Sequence, residues 1–201
     1  MLTLYGALIG FAVLVLLPIA LVWRVPIRPF WHAVKEPWLL AFTTASSEAA
    51  LPLALWNMER LGVPRRIASF VLPAGYAFNM DGTTLYLALA SVFVAQAAGI
   101  AMPLSRQVAM MLTLMLTSKG LAAVPRASLV ILSGTLAQFG LPLEGVAVIL
   151  GVDALMDMAR TSVNMVGNCL AAAVLARSDG SLTASAAFAP AHPAPLAEAV
   201  R

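Results

Sequence analysis

The chain has 201 residues, of which 61% are hydrophobic and only 10% are charged, and its mean hydropathy is +0.91. Soluble domains carry about 25% charged residues, so this composition excludes an ordinary soluble domain and predicts a membrane protein. The net charge of +3 is too small to indicate nucleic-acid binding. The single cysteine, Cys169, excludes an internal disulfide, and His32 and His192 are too far apart to indicate a metal site.

The first segment, residues 1–23, carries no charge. It is long enough to cross a bilayer, for which about 20 apolar residues suffice. It has no basic region at its start and no convincing small-residue cleavage site, which favours a spanning helix over a signal peptide. Pro18 is expected to kink this helix. The arginines and tryptophans that follow indicate a position at the membrane interface.

Two later segments, 28–60 and 104–138, each place a small polar tip between two apolar arms. The tips read TTASSEAALP and SKGLAAVPRAS. Each arm has roughly 12 strongly apolar residues or fewer, which is too short for a membrane span. A short arm on either side of a polar tip predicts a re-entrant helical hairpin in both segments.

The segment between the hairpins, 65–100, is apolar but interrupted by NMDGT, which begins at Asn79. Gly82 permits local unwinding, and Asn79 and Asp81 supply side-chain oxygens. Broken membrane helices place such oxygens, together with free carbonyls, where cations bind. The segment therefore predicts a broken helix with a cation site.

The last apolar segment, 142–177, carries polar side chains at a helical spacing. At about 100° per residue, five of them fall within a sector of roughly 80° on one helix face: Asp153, Asp157, Arg160, Asn164 and Asn168. Each charge in a membrane costs roughly 2.5–3.5 kcal/mol on insertion scales. A stripe of this kind in a segment hydrophobic enough to cross a membrane predicts a solute pathway.

Residues 178–201 are rich in Ala, Ser and Pro, which predicts a disordered tail. Residues 1–177 together predict an all-α membrane protein with the order spanning helix, hairpin, broken helix, hairpin and polar-striped helix. Two hairpins with similar tips indicate an internal inverted repeat, which is common in transporters. The sequence shows neither a nucleophile paired with an activating group nor a metal-ligand cluster, so no feature indicates an enzyme.

Four motifs in this order carry a family resemblance. SSEAALP at the first tip, NMDGT in the broken helix, SKGLAAVP at the second tip and DMARTSVNMVGN in the last helix resemble the dicarboxylate/amino acid:cation symporters, the glutamate transporter family. The resemblance covers residues 1–177 and corresponds to the C-terminal transport core of that family. The earlier scaffold helices are expected to belong to a longer protein or to another polypeptide.

The resemblance implies an integral protein of a bacterial inner membrane that moves a small anionic substrate. The expected function is symport of aspartate or glutamate with sodium, protons or both. The alternatives are a C4-dicarboxylate symporter and a non-transporting fragment. The family works as a trimer, so a homotrimer is expected if the scaffold helices are supplied. Apart from the coupling ions, no cofactor is expected.

Arg160 resembles the family arginine that holds the substrate's distal carboxylate, and its planar guanidinium suits bidentate carboxylate binding. The alternative is an internal ion pair with Asp157 or Asp153, which would then be the state without substrate. Asp157 matches the position that receives the substrate's α-amino group. A carboxylate there favours an amino acid over a plain dicarboxylate.

The remaining substrate contacts are also implied by the resemblance. Ser46 and Ser47 suit the α-carboxylate because the backbone amides at the start of a helix attract anions; the alternative is a small-residue turn. Val124, with Ala122 and Ala123, resembles the gate. The complete expected substrate set is Ser46, Ser47, Thr83, Val124, Asp157, Arg160, Thr161 and Asn164.

The cation ligands implied by the resemblance are Asn79, Met80, Asp81, Ser118, Asp153, Asn164 and Asn168, with further carbonyls from Lys119 and Leu121. Asn168 departs from the family pattern, since sodium-coupled amino-acid members carry an aspartate there. The amide has no formal charge, so we expect this sodium site to be weaker, absent or differently coupled.

Two further charges lie near the tips. Burial of Glu48 would favour its protonated form, so we expect this carboxyl either to exchange a proton during transport or to brace the tip as an acceptor for backbone amides. Lys119 is expected to be a solvated charge at the membrane interface.

Overall fold

The computed structural model describes residues 1–119 and 127–182, and within these ranges the chain is helical and contains no β-strand. This confirms the all-α class. We number eight helices in the described ranges: α1 (Leu2–Val22), α2 (Ile27–Thr44), α3 (Ser47–Leu61), α4 (Arg65–Phe78), α5 (Asp81–Ala97), α6 (Leu104–Thr117), α7 (Ala127–Gln138) and α8 (Glu144–Ser178).

α1 is an apolar helix that continues past a proline. Pro18 has no N–H to donate to the carbonyl of Leu14, and the preceding turn, Ala12–Leu16, takes the wider π-helical pattern. Only 11% of its most apolar 18-residue stretch is buried inside the protein, so most of its surface is available to lipid.

Two stretches of the described chain have the length and hydropathy of a membrane span, α1 and Arg65–Ala97. α8 is not one of these two stretches. Its apolar part is interrupted by the charged side chains of Asp153, Asp157 and Arg160.

α2 and α3 form an antiparallel pair of helices joined at Ala45 and Ser46. Ala45 adopts the left-handed conformation (φ 50°) and ends α2. The hydroxyl of Ser46 caps α3 by accepting a hydrogen bond from the amide of Ala49 (3.3 Å). Both helices are longer than the apolar arms seen in the sequence, since their outer turns are amphipathic and include charged residues.

A buried hydrogen bond joins the middle of α2 to the middle of α3. Asn57, which is 3% exposed, donates from Nδ2 to the carbonyl of Ala33 (2.9 Å). In a regular helix that carbonyl would accept from the residue four positions later, but Pro37 has no N–H. Asn57 therefore satisfies a carbonyl that the proline in α2 leaves unpaired.

α4 and α5 lie on either side of a two-residue interruption. Asn79 (φ −113°, ψ 74°) and Met80 (φ −109°, ψ 57°) have non-helical backbone angles. The last carbonyls of α4 therefore have no helical partners, as at any helix end. The interruption brings polar backbone and side-chain atoms to the middle of an apolar segment.

α6 and α7 pack against each other, and their outer ends meet where Arg106 donates a hydrogen bond to the carbonyl of Phe139. The connection between them, residues 120–126, lies outside the described residues. The expected gate at Val124 falls within it.

α8 is shared by two hydrophobic clusters. Its N-terminal half contributes Ile149 and Met156 to a cluster with α1, α5, α6 and α7. Its C-terminal half contributes Met165 and Cys169 to a cluster formed mainly with α2, α3 and α4. Because both clusters enclose α8, its polar stripe lies inside the protein.

The structure extends into the segment predicted to be a tail. α8 continues to Ser178, Asp179 forms an ion pair with Arg66, and Leu182 packs against the second of the two clusters. The expected boundary at 178 is therefore too early. Residues 183–201 lie outside the described residues.

We expect Asn57→Ala to lower the free energy of unfolding by about 1–3 kcal/mol, because the buried Ala33 carbonyl loses its donor. Pro37→Ala restores a helical N–H and should recover most of that loss in the double variant. The measurement is chemical denaturation of the purified chain in detergent. Pro52→Ala, which changes an exposed proline in α3, is the control. Additive effects of Asn57→Ala and Pro37→Ala would contradict the assignment.

Candidate functional site

A buried group of three charges lies on α8. Arg160, which is 2% exposed, donates from Nε to Oδ1 of Asp157 (3.0 Å) and from Nη1 to Oδ1 of Asp153 (3.3 Å). The three residues lie three and four positions apart, so the helix places them on one face. Of the two arrangements considered from the sequence, the structure contains the internal ion pair.

Tyr86 of α5 completes this group from the neighbouring helix. Its hydroxyl donates to Oδ1 of Asp153 (2.7 Å), and its ring lies 4.0 Å from the guanidinium carbon of Arg160. A cation over an aromatic face is attracted by the ring quadrupole. Tyr86 therefore contacts both an anion and a cation of the group with one side chain.

The group carries more negative than positive charge. One guanidinium faces the two carboxylates of Asp153 and Asp157, so the formal charge is −1. Oδ2 of Asp153 is buried and has no hydrogen-bond partner in the described chain, an arrangement that ordinarily costs about 1–3 kcal/mol. A positively charged ligand or a proton at this position would relieve that cost.

Thr161 and Asn164 extend the polar surface along α8. The Thr161 hydroxyl donates to Oδ1 of Asp157 (3.2 Å). Asn164 joins α8 to the first turn of α5, since its oxygen accepts from the amide of Gly82 (2.8 Å) and its Nδ2 donates to Oγ1 of Thr83 (3.0 Å). Asn164 is thus in contact with Thr83, which is also an expected substrate residue.

Asn79, Asp81 and Asn168 form a second polar group at the interruption. One amide atom of Asn79 lies 2.9 Å from Oδ1 of Asn168, and the other lies 2.9 and 3.1 Å from the two carboxylate oxygens of Asp81. A carboxylate only accepts hydrogen bonds, so we orient the Asn79 amino group toward Asp81 and its oxygen toward the amino group of Asn168. The amide of Asn168 is turned with it, so that its amino group donates to the Asn79 oxygen.

Two glycines allow α4 and α5 to approach α8 this closely. A Cβ atom at Gly75 would lie 2.3 Å from the nearest side-chain amide atom of Asn168, and one at Gly82 would lie 2.6 Å from the carbonyl oxygen of Arg160. Gly82 lies within the regular turns of α5. The sequence assigned it to local unwinding, but its close contact with the α8 backbone is the actual constraint.

The first tip is not joined to either polar group. Ser46 caps α3 and Ser47 is buried in its first turn, but among the described residues no hydrogen bond or ion pair connects them to α8. Glu48 is exposed in the same turn, so the chain itself does not bury this carboxylate as the sequence reading required. An acidic residue in the first turn is favourable in its own right, because it faces the positive end of the helix dipole.

Three further expected residues lie near the interruption. Met80 is 8% exposed, and Ser118 is fully buried and donates within its own helix to the carbonyl of Met115 (3.1 Å). Lys119 is exposed, but its ammonium donates to the carbonyl of Phe78 (2.6 Å). Lys119 is thus exposed as expected, and in addition its side chain binds the last carbonyl of α4.

A cavity of about 400 Å³ lies between α1, α5 and α8 and is lined mainly by apolar side chains. Tyr86 lines the cavity and also contacts the charged group of Asp153 and Arg160. None of the residues expected to bind substrate or cations lines the cavity. Its apolar surface does not suit a dianionic substrate, so the polar groups of α8 remain the candidate site.

Tyr86, Gly75 and the bond from Lys119 to Phe78 were not predicted. Tyr86 lies 67 residues before its partner Asp153, and an aromatic residue in an apolar helix is ordinarily a core residue. The sequence signal that could have indicated Tyr86 was its position on α5, five residues after Asp81 of the predicted cation site.

The family model for the sodium:dicarboxylate symporter family matches residues 1–178 of this chain. The proton/sodium-glutamate symport protein of Geobacillus stearothermophilus is 47% identical over 176 residues, which are 88% of this chain and 42% of that protein. The proton/glutamate-aspartate symporter of Escherichia coli (strain K12) is 46% identical over 171 residues, 85% of this chain and 39% of that protein.

A C4-dicarboxylate transport protein of Pseudomonas syringae pv. tomato is also similar, with 41% identity over 183 residues, 90% of this chain and 40% of that protein. The chain therefore spans about two fifths of the length of each of these curated relatives. Both substrate classes considered from the sequence, acidic amino acids and C4-dicarboxylates, occur in the names of these relatives.

We expect Gly82→Ala to lower the free energy of unfolding by about 1–3 kcal/mol, because the added methyl group forces α5 away from the α8 backbone. Gly151→Ala is the matched control, since a Cβ at Gly151 has no neighbour within 4 Å and alanine favours the helix by up to about 1 kcal/mol. Denaturation of both variants in detergent tests this prediction. Equal effects of the two substitutions would contradict the proposed close contact.

Proposed function

The chain belongs to the sodium:dicarboxylate symporter family, and we propose that it forms the substrate- and cation-binding part of a secondary symporter for acidic amino acids. The observation that carries this proposal is the buried group of Asp153, Asp157 and Arg160, with its formal charge of −1. The guanidinium of Arg160, beside two carboxylates, offers one partner for a substrate carboxylate and leaves an anion for a substrate ammonium.

Substrate binding exchanges the partners of the internal ion pair. The distal carboxylate of aspartate or glutamate takes the place of Asp157 at the Arg160 guanidinium, where two parallel N–H donors suit it. The released Asp157 then receives the substrate's α-ammonium. Each buried charge keeps a partner throughout, which avoids the large cost of leaving an ion unpaired in a dry site.

The substrate's α-carboxylate is assigned to the start of α3. The hydroxyl of Ser46 already satisfies the amide of Ala49, and the amides of the first turn point toward an anion placed before the helix. Ser47 adds a hydroxyl in the same turn. This assignment requires the tip between α2 and α3 to approach Arg160 when substrate is bound.

The group of Asn79, Asp81 and Asn168 is proposed to bind or sense the coupling cation. It has one carboxylate, since Asn168 supplies an amide, and a single formal charge attracts an alkali cation less strongly than two. We expect protons to contribute to coupling for this reason. Glu48 remains a candidate for carrying a proton, but its exposure makes it a poorer one than the buried carboxylates.

The complete transporter is proposed to lie in a bacterial inner membrane and to assemble as a trimer. The relatives described above are bacterial transport proteins, and α1 presents an apolar surface suited to lipid. Because the chain spans about two fifths of those relatives, transport is expected to need the remaining length as well.

A C4-dicarboxylate symporter is the second candidate, and the similarity to the Pseudomonas syringae protein favours it. Succinate has no ammonium group, so binding it would leave Asp157 facing a second anion. The proposed roles of Arg160 and Asp157 therefore rank aspartate and glutamate above succinate.

We expect the purified chain in nanodiscs to bind L-aspartate more tightly than succinate in calorimetric titrations. Uptake of both labelled substrates into proteoliposomes, with sodium and pH gradients imposed separately, tests coupling. The same assays are run with the chain joined to the remaining part of the Geobacillus stearothermophilus relative. Binding without uptake by the chain alone, and uptake by the joined protein, would support the proposal. Preferential succinate binding would contradict the amino-acid assignment.

We expect Asp157→Asn to weaken aspartate binding by about 10- to 100-fold, because a charge-assisted hydrogen bond to the ammonium contributes about 1.5–3 kcal/mol. Succinate binding should be unchanged or tighter, since a repulsive carboxylate is removed. Asp179→Asn is the matched control, because it neutralises an exposed aspartate paired with Arg66. An equal loss for both substrates would point to a purely structural role for Asp157.

A further inference from the structure

Lys119 connects the end of α6 to the end of α4. The lysine follows Ser118, and its ammonium donates to the carbonyl of Phe78, the last residue of α4, over 2.6 Å. This contact joins two residues 41 positions apart, at the interruption that contains Asn79 and Met80.

The end of α4 is a favourable place for a cation. The carbonyls of a last helical turn have no N–H partners within the helix, and they form the negative end of the helix dipole. The Phe78 carbonyl belongs to this turn. Instead of being available to a dissolved ion, it accepts a hydrogen bond from a positive charge that belongs to the chain.

The same charge also acts on the carboxylate beside the interruption. Lys119 binds the carbonyl of Phe78, three residues before Asp81, and Asp81 is the only formal charge in the group with Asn79 and Asn168. The ammonium therefore cancels the negative charge of that group. Among the described residues, no net formal charge remains there to attract a second monovalent cation.

We propose that Lys119 is a tethered cation that occupies the carbonyl end of α4 in place of an alkali ion, and so disfavours sodium at the group of Asn79, Asp81 and Asn168. The inference rests on the proposed cation role of this group. It assigns ion selectivity to a side chain of the hairpin formed by α6 and α7. Removing the ammonium should uncover the carbonyl and restore one net negative charge.

The first test is a sodium titration of the purified chain, with the thermal unfolding temperature as the readout. Choline replaces sodium so that the ionic strength stays constant. Lys119→Met should lower the apparent dissociation constant for sodium by about tenfold or more, since a like charge is removed from the site. Lys119→Arg keeps the charge and should behave like the unchanged protein.

Arg106→Met is the matched control for Lys119→Met. Arg106 also carries one positive charge and also donates to a carbonyl just past the end of a helix, that of Phe139. It lies at the opposite end of α6 from Lys119. The sodium affinity of Arg106→Met should be unchanged. An unaltered sodium affinity in Lys119→Met, or an equal gain in both variants, would overturn the inference.

A second test uses the unchanged protein and does not depend on the folding of a variant. The chain has two lysines, Lys35 and Lys119, and both are exposed. If sodium competes with the Lys119 ammonium, high sodium should speed reductive methylation of Lys119 relative to Lys35, whereas choline should not. Equal rates in the two salts would overturn the inference. Both tests report cation occupancy and not transport, so they can succeed or fail independently of the proposed symport.

Discussion

Arg160 is a charged side chain buried to 2% exposure, and the arrangement of the helices around it follows from the need to keep that charge paired. Asp153 and Asp157 supply the counter-charges from α8 itself, and Tyr86 covers the guanidinium from α5. Removing one partner of a buried ion pair typically costs about 3–5 kcal/mol of folding free energy. Replacing the whole pair by apolar residues of similar size often leaves a protein equally stable. The group is therefore better explained by ligand binding than by stability.

The contact between α5 and α8 is polar at its centre and requires small residues beside it. Asn164 makes two hydrogen bonds across this contact, and Gly82 allows the backbones to approach closely enough for them to form. Small residues and interhelical hydrogen bonds are the usual means of holding helices together where lipid weakens the hydrophobic drive. The interruption between α4 and α5 and the stripe of α8 thus become one continuous polar surface. Among the described residues, its two ends differ in formal charge: Asp153, Asp157 and Arg160 sum to −1, whereas Asp81 and Lys119 sum to zero.

Local features of the fold were predictable where they depend on neighbouring residues. The helical repeat places Asp153 and Asn168 on one face of any α-helix, so the stripe on α8 was evident before the structure. The break after Phe78 was evident from a polar interruption in an apolar segment, and Ser46 was evident as a small residue before a helix. The helix lengths were less predictable, because amphipathic outer turns extend α2 and α3 beyond the apolar arms.

Contacts between distant segments were not predictable in the same way. The roles of Tyr86 and Gly75, and the bond from Lys119 to Phe78, depend on which helices become neighbours, and no local pattern records that choice. The sequence by itself determined an all-α chain, the polar face of α8 and the residue types of the candidate site, because the helical repeat and hydrophobicity act over short distances. Only the tertiary structure decided that Arg160 is paired internally, that Gly82 serves close packing and that Lys119 binds the end of α4. Each of these results depends on free energies of contact between residues far apart in the chain.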